Sequence, residues 1–143
     1  MNLARWLLRH SFVRFAMVGT LGAPVDAGIL WLMVHEAGLD PYSGRMISWL
    51  CAATFTWTGN RYFTFPERRA HGLLGALKEW LRFLAANAVG GLVNVGLYAT
   101  LVRFAPPPLN NLYLALVAGV LAGLAFNFAL SRIMVFKTPA APG

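Results

Sequence analysis

The chain has 143 residues, of which 58% are hydrophobic and only 12% charged, about half the charged share of an ordinary soluble domain. A water-soluble globule of this length would need a polar shell that the sequence does not provide, so most of its surface must face lipid. The formal charge of +7 is spread between apolar runs rather than gathered on one soluble face, which argues against nucleic acid and for anionic lipids or a phosphate headgroup.

The first stretch, Met1-Asn-Leu-Ala-Arg-Trp-Leu-Leu-Arg-His, sets Leu3, Trp6 and Leu7 against Arg5 and Arg9, so residues 1–13 read as an interfacial segment on the inner leaflet. No small-residue cleavage pattern follows it, and it should stay attached. Phe15 to about Val34 forms the first span, long enough for the roughly 20 apolar residues a bilayer requires, with Asp26 as its only formal charge. The second span runs from about Arg45 to Phe65; its hydroxyl side chains can bond back to their own helix, and it holds the single Cys51. Gly72 to Phe83 reads as a second interfacial helix with Trp80 as a headgroup anchor, the alternative for both segments being helix extensions that merely anchor. The third span runs from Phe83 to about Val102 and the fourth from about Leu112 to Met134, and residues 138–143 should be a disordered tail. These segments predict an all-α integral membrane protein with a four-helix transmembrane domain over residues 14–137 and short interfacial helices.

Ten of the twelve Lys and Arg residues lie before the first span, between the second and third, or after the fourth, leaving Arg45 and Arg103 on the other side. That bias predicts a multi-pass protein of the inner (plasma) membrane with both termini cytoplasmic. The sequence also repeats. A shift of 68 superposes Arg14-Phe15 on Arg82-Phe83, Gly22 on Gly90 and Asp26 on Asn94, and a shift of 71 superposes Asn60-Arg61 on Ser131-Arg132 and Phe65 on Phe136. One helical hairpin thus occurs twice, as residues 14–65 and 82–136. Because each copy holds two spans, the copies form a parallel repeat about an axis along the bilayer normal.

Asp26 carries a cost of about 2.5 to 3.5 kcal/mol at the centre of a bilayer. Pro24 lacks the N–H that would bond the carbonyl of Thr20, so a kink or break is expected there, with a polar pocket around Asp26 and its counterpart Asn94. Two readings stand side by side, a site for ligand, ion or proton and a buried interhelical hydrogen bond. Arg14, Arg61, Arg82 and Arg132 mark the cytoplasmic ends of the spans. Their guanidinium forks suit phosphate oxygens, the alternative being side chains that only set topology and snorkel. Asn60 and Asn127 lie close enough to those ends to orient an Arg or a headgroup. Gly119 and Gly123 permit close packing, within the chain or between copies. His35, Glu36 and Asp40 read as solvated loop residues rather than metal ligands. No metal spacing, cofactor loop or nucleophile–base motif is present, so neither a cofactor nor an enzyme is expected.

The segments Arg14-Phe-Ala-Met-Val-Gly-Thr-Leu-Gly, Asn60-Arg-Tyr-Phe-Thr-Phe and Asn127-Phe-Ala-Leu-Ser-Arg-Ile-Met-Val-Phe-Lys, in this order and spacing, resemble the GtrA-like family of four-span membrane proteins from about residue 12 to 137. The resemblance implies flipping of a polyprenyl-phosphate-linked monosaccharide to the outer leaflet for cell-surface polysaccharide. Arg61, Arg132, Arg14 and Arg82 would then bind the phosphate, and Asp26, Asn94, Asn60 and Asn127 would line the sugar path. The family pattern usually has Asn where this chain has Asp26. Two other readings remain open, a non-transporting subunit that recruits a polyprenyl-phosphate glycosyltransferase and a small multidrug-type proton antiporter; the strong Lys/Arg bias opposes the second. Four helices enclose little volume, so a homo-oligomer is expected.

Overall fold

The computed structural model describes residues 10–137, and these are helical with short connections. Helix α1, Ser11–Trp31, ends in a π-helical turn at Leu32–Glu36, and α2, Pro41–Gly59, ends in another at Asn60–Thr64. A 3-10 turn at Pro66–Arg68 leads to α3, Gly72–Phe104, and α4, Leu112–Leu130, closes with a third π turn at Ser131–Val135. Three helical stretches are long and apolar enough to cross a membrane, namely Ser11–Glu36, Gly72–Phe104 and Leu112–Val135. The fourth, α2, is more polar, because Arg45, two serines and three threonines interrupt it.

Contacts along α1 show that α2 nevertheless spans the same distance. From one end to the other, Arg14 meets Phe63, Val18 lies under Gly59, Gly22 under Thr56, Asp26 meets Arg45 and Ser48, and Val34 lies under Gly44. The α1 residues from 14 to 34 rise about 30 Å, the thickness of the hydrocarbon layer. Glycine permits this approach: a Cβ at Gly22 would stand 2.5 Å from a Thr56 methyl, and one at Gly59 2.8 Å from Val18. The outward faces are apolar, with Leu92 and Val95 exposing 74% and 65% of their surface. Such a surface is stable only against lipid. The protein is an all-α membrane protein.

Each α helix that opens a return segment begins with the same device. Asp40 caps α2 by accepting from the N–H groups of Tyr42 and Ser43, and Asn111 caps α4 by accepting from Tyr113 and Leu114. These bonds satisfy helix donors that have no partner within the helix. The Ser43 side chain and backbone N–H, together with Tyr42, hold the Asp40 carboxyl below its ordinary value. Asp40 and Asn111 are 71 positions apart, as are the π turns at Asn60–Thr64 and Ser131–Val135. Local structure therefore recurs at the offset found in the sequence. The buried positions Phe15, Val18 and Gly22 recur likewise at Phe83, Ala86 and Gly90, 68 residues on.

Two open readings are decided. Gly72 to Phe83 is a helix extension rather than a separate interfacial helix, because α3 runs without interruption for 33 residues; no proline or capping group interrupts it, so the amphipathic turns propagate straight into the span. Of the kink or break expected at Pro24, the break does not occur, since α1 is continuous through it. One lost backbone bond is tolerated where Gly22, two residues before the proline in a buried position, is held against Thr56. The interfacial segment expected over residues 1–13 lies outside the described residues except for its last four, of which Ser11, Phe12 and Val13 belong to α1. The tail 138–143 lies outside them too.

The chain divides into two compact units. One reaches to Trp80 and includes Phe136; the other is Leu81–Val135. The first unit is the α1–α2 hairpin with the first nine residues of α3, and Phe136 stacks on Phe65 at 4.9 Å between ring centres. The second is the hairpin of the remaining α3 with α4.

Candidate functional site

At the Arg14 end of the first hairpin, a buried polar knot surrounds Arg61. Its Nη1 donates to Glu79 Oε1 at 2.6 Å and its Nη2 to the Ala70 carbonyl at 2.6 Å. Glu79, with only 2% of its side chain exposed, also accepts from Trp57 Nε1 at 3.0 Å and, through Oε2, from the Ala70 N–H at 2.7 Å. Both carboxylate oxygens and both guanidinium ends are satisfied, which is the condition under which a buried ion pair is tolerated. The Trp57 and Tyr62 rings flank the same guanidinium at 5.5 and 5.8 Å. Arg61, expected from sequence to face a phosphate, is instead spent on this internal knot. Asn60 is likewise buried and accepts from Thr64 Oγ1 at 2.7 Å, so it fastens its π turn.

Arg14 donates from Nη1 to the Phe63 carbonyl at 2.9 Å and lies over the Phe63 ring. Its Nε is buried with no hydrogen-bond partner among the described residues. Trp80, expected as a headgroup anchor, donates to Thr54 Oγ1 at 3.0 Å and so binds α3 to α2.

Deeper in the same hairpin, Arg45 Nη1 contacts both oxygens of Asp26 at 2.5 Å and donates to Ser48 Oγ at 3.2 Å. Asp26 therefore has an ionic partner, Arg45, which sequence reading had assigned only to topology. The pair is not sealed: 51% of the Arg45 side chain and 25% of that of Asp26 are exposed.

The second hairpin is built differently. A Cβ on Gly119 would stand 2.6 Å from the Asn94 carbonyl oxygen, and one on Gly123 2.7 Å from the Gly90 carbonyl. The two glycines thus serve packing within the chain. Asn127 Nδ2 donates to Asn87 Oδ1 at 3.2 Å, while its own Oδ1 is buried against Gly90 without a partner among the described residues. The pairing of residue 90 with 123 and of 94 with 119 fixes an antiparallel register that brings residue 82 level with the π turn at 131–135. Arg82 and Arg132 are both exposed and lie at this one end. A pair of unspent guanidinium groups at a helix-hairpin end can chelate a phosphate.

Sequence reasoning missed Glu79, Trp57, Asn87 and the partnership of Arg45. A signal for Glu79 was present, since it is one of five acidic residues and sits among Leu77, Trp80 and Leu81, where an unpaired carboxylate would be costly. Trp57 and Arg61, four apart on one helix, form the face it meets.

Among curated proteins, none matches this chain. A family model described as GtrA/DPMS, transmembrane domain, matches residues 14–136, from the first site arginine to the stacked Phe136. With its apolar helices and repeated hairpin, the chain belongs to the GtrA/DPMS transmembrane domain family, whose domain is typically a non-catalytic membrane protein of polyprenyl-phosphate sugar metabolism.

Proposed function

We propose that the protein carries a polyprenyl-phosphate-linked monosaccharide from the cytoplasmic to the outer leaflet of the inner (plasma) membrane, for use in cell-surface polysaccharide. The observation that carries this reading is the exposed pair Arg82 and Arg132, held level at one end of a hairpin whose other surfaces suit lipid. The Lys/Arg bias places that end on the cytoplasmic side, where the donor is made, and both termini with it. A phosphate held there leaves its prenyl chain in hydrocarbon, so only the sugar must cross a polar route. Asn87, Asn94 and Asn127 supply amides along the same hairpin, and Asp26 supplies a carboxylate in the other. Arg61 and Asn60 act as structural supports, and Arg14 keeps three of its guanidinium donors for the headgroup region.

The test is transport of a fluorescent polyprenyl-phosphate sugar by purified protein in liposomes. Wild type should move it, and Arg82→Gln with Arg132→Gln should slow it at least about tenfold, since each charge-assisted hydrogen bond contributes about 1.5 to 3 kcal/mol. Unchanged transport in the double variant refutes the arginine assignment. Absence of transport by wild type, with transport appearing or glycosyl transfer rising only when a glycosyltransferase is added, would favour the recruiting subunit instead. Homo-oligomer formation, measured by mass in detergent, belongs to the same proposal.

A further inference from the structure

We propose that Arg45 is a second anion site, for a phosphate group arriving at the end of the first hairpin opposite Arg14, and that Asp26 holds its guanidinium in the phosphate's place when the site is empty. The proposal rests on the transport reading for the phosphate-bearing class of its ligand.

Three observations carry it. The Arg45 side chain runs inward. Its neighbour Gly44 packs against Leu30, Met33 and Val34, yet its guanidinium meets Asp26, at least a full helical turn deeper in α1. An arginine serving only topology would reach outward to the nearer headgroups.

The guanidinium is also mostly unspent. Nη1 alone makes every hydrogen bond in which the side chain takes part, to Asp26 and Ser48, so the Nη2 and Nε donors have no partner among the described residues. A sealed structural pair is buried with both ends of its guanidinium occupied, and Arg61 in this chain spends Nη1 on Glu79 and Nη2 on the Ala70 carbonyl at 9% side-chain exposure. Arg45 offers its free edge at 51% exposure. Phosphate oxygens match that edge, and they compete directly with the carboxylate for Nη1.

Finally, the pair is not needed to close a hairpin of this fold. The position equivalent to Arg45 in the second hairpin is Leu116 and that of Ser48 is Gly119, where Asn94 packs directly on the glycine. The same architecture stands there without an ion pair. What the first hairpin gains from Arg45 and Asp26 is an arginine held in reserve beside an anion that can release it.

The experiment uses the full chain in dodecyl maltoside, a phosphate-free detergent, with farnesyl phosphate as probe and farnesol and inorganic phosphate as controls. In the Arg82→Gln/Arg132→Gln background, farnesyl phosphate should still bind and should shift the Arg45 Nε–H resonance. Arg45→Gln should then weaken binding about tenfold or more, while Asp26→Asn, by removing the competing carboxylate, should strengthen it by a similar factor. Farnesol should be indifferent to both substitutions. Competition by inorganic phosphate at equal concentration identifies a site for free anions, and its failure to compete identifies a lipid-borne phosphate. If Arg45→Gln does not fold, Arg45→Lys, which keeps the charge and loses the fork, should show intermediate affinity.

The proposal is overturned if Asp26→Asn and Arg45→Gln both lower the melting temperature and leave farnesyl phosphate affinity unchanged, as a purely structural pair requires. It is overturned equally if the background variant binds no farnesyl phosphate, an outcome that leaves Arg82 and Arg132 as the phosphate site. If instead the background substitutions change nothing and Arg45→Gln abolishes binding, the Arg45 site stands and the capture role of Arg82 and Arg132 falls.

Discussion

Glu79 and Arg61 illustrate how one buried contact decides what a charged side chain is for. In the sequence, Arg61 has the same standing as Arg132, each following an Asn or Ser and preceding an aromatic four residues on. The difference lies at the partner: Arg61 meets Glu79, whereas Arg132 meets no carboxylate among the described residues. Removing that carboxylate strands a guanidinium in a nearly dry site, and Glu79→Ala should cost about 3 kcal/mol or more. Replacing both members by apolar residues, Arg61→Met with Glu79→Leu, should recover most of that loss because no charge is left unpaired. Thermal unfolding in detergent compares the two, and equal destabilisation by single and double variants would refute the account.

At the level of the helices, packing is governed by where small residues stand. Gly119 and Gly123 receive the backbone of α3, whereas Gly91 and Gly96 have nothing within 4 Å of an added Cβ. Gly119→Val should therefore destabilise the second hairpin by about 1 to 3 kcal/mol, the usual cost of overpacking. Gly91→Ala should be neutral or slightly stabilising, since alanine is the better helix former; chemical denaturation of the two variants reads the contrast. Periodicity and apolar runs made these helices legible, together with their offset of 68 and 71 residues. Their ends were less so. The Asp40 cap moved the start of α2 four residues ahead of Arg45, drawing that arginine into the helix where it meets Asp26. The unbroken course of α3 was hidden because Lys78 and Glu79 resemble the polar face of a surface helix, while Glu79 is in fact buried.

For the molecule as a whole, the family and the helical membrane architecture could be read from order and spacing alone, because hydrocarbon admits few backbone solutions. Which polar groups are occupied could not, since that depends on pairings between segments 18 or 19 residues apart, Arg61 with Glu79 and Asp26 with Arg45. The Arg61 knot reaches further than its own charges. Ala70 is gripped at both its N–H and its carbonyl, one residue past the dibasic Arg68-Arg69, and Arg69 itself lies 5.3 Å above the Tyr62 ring. The connection that leads into α3 is thereby stapled shut rather than left as a slack tether. A protease must first pull several residues of backbone free, at a frequency set by local opening. Trypsin should nick the intact protein slowly at this dibasic step, and the Glu79→Ala chain should be cut there much faster, even at temperatures where its helices persist.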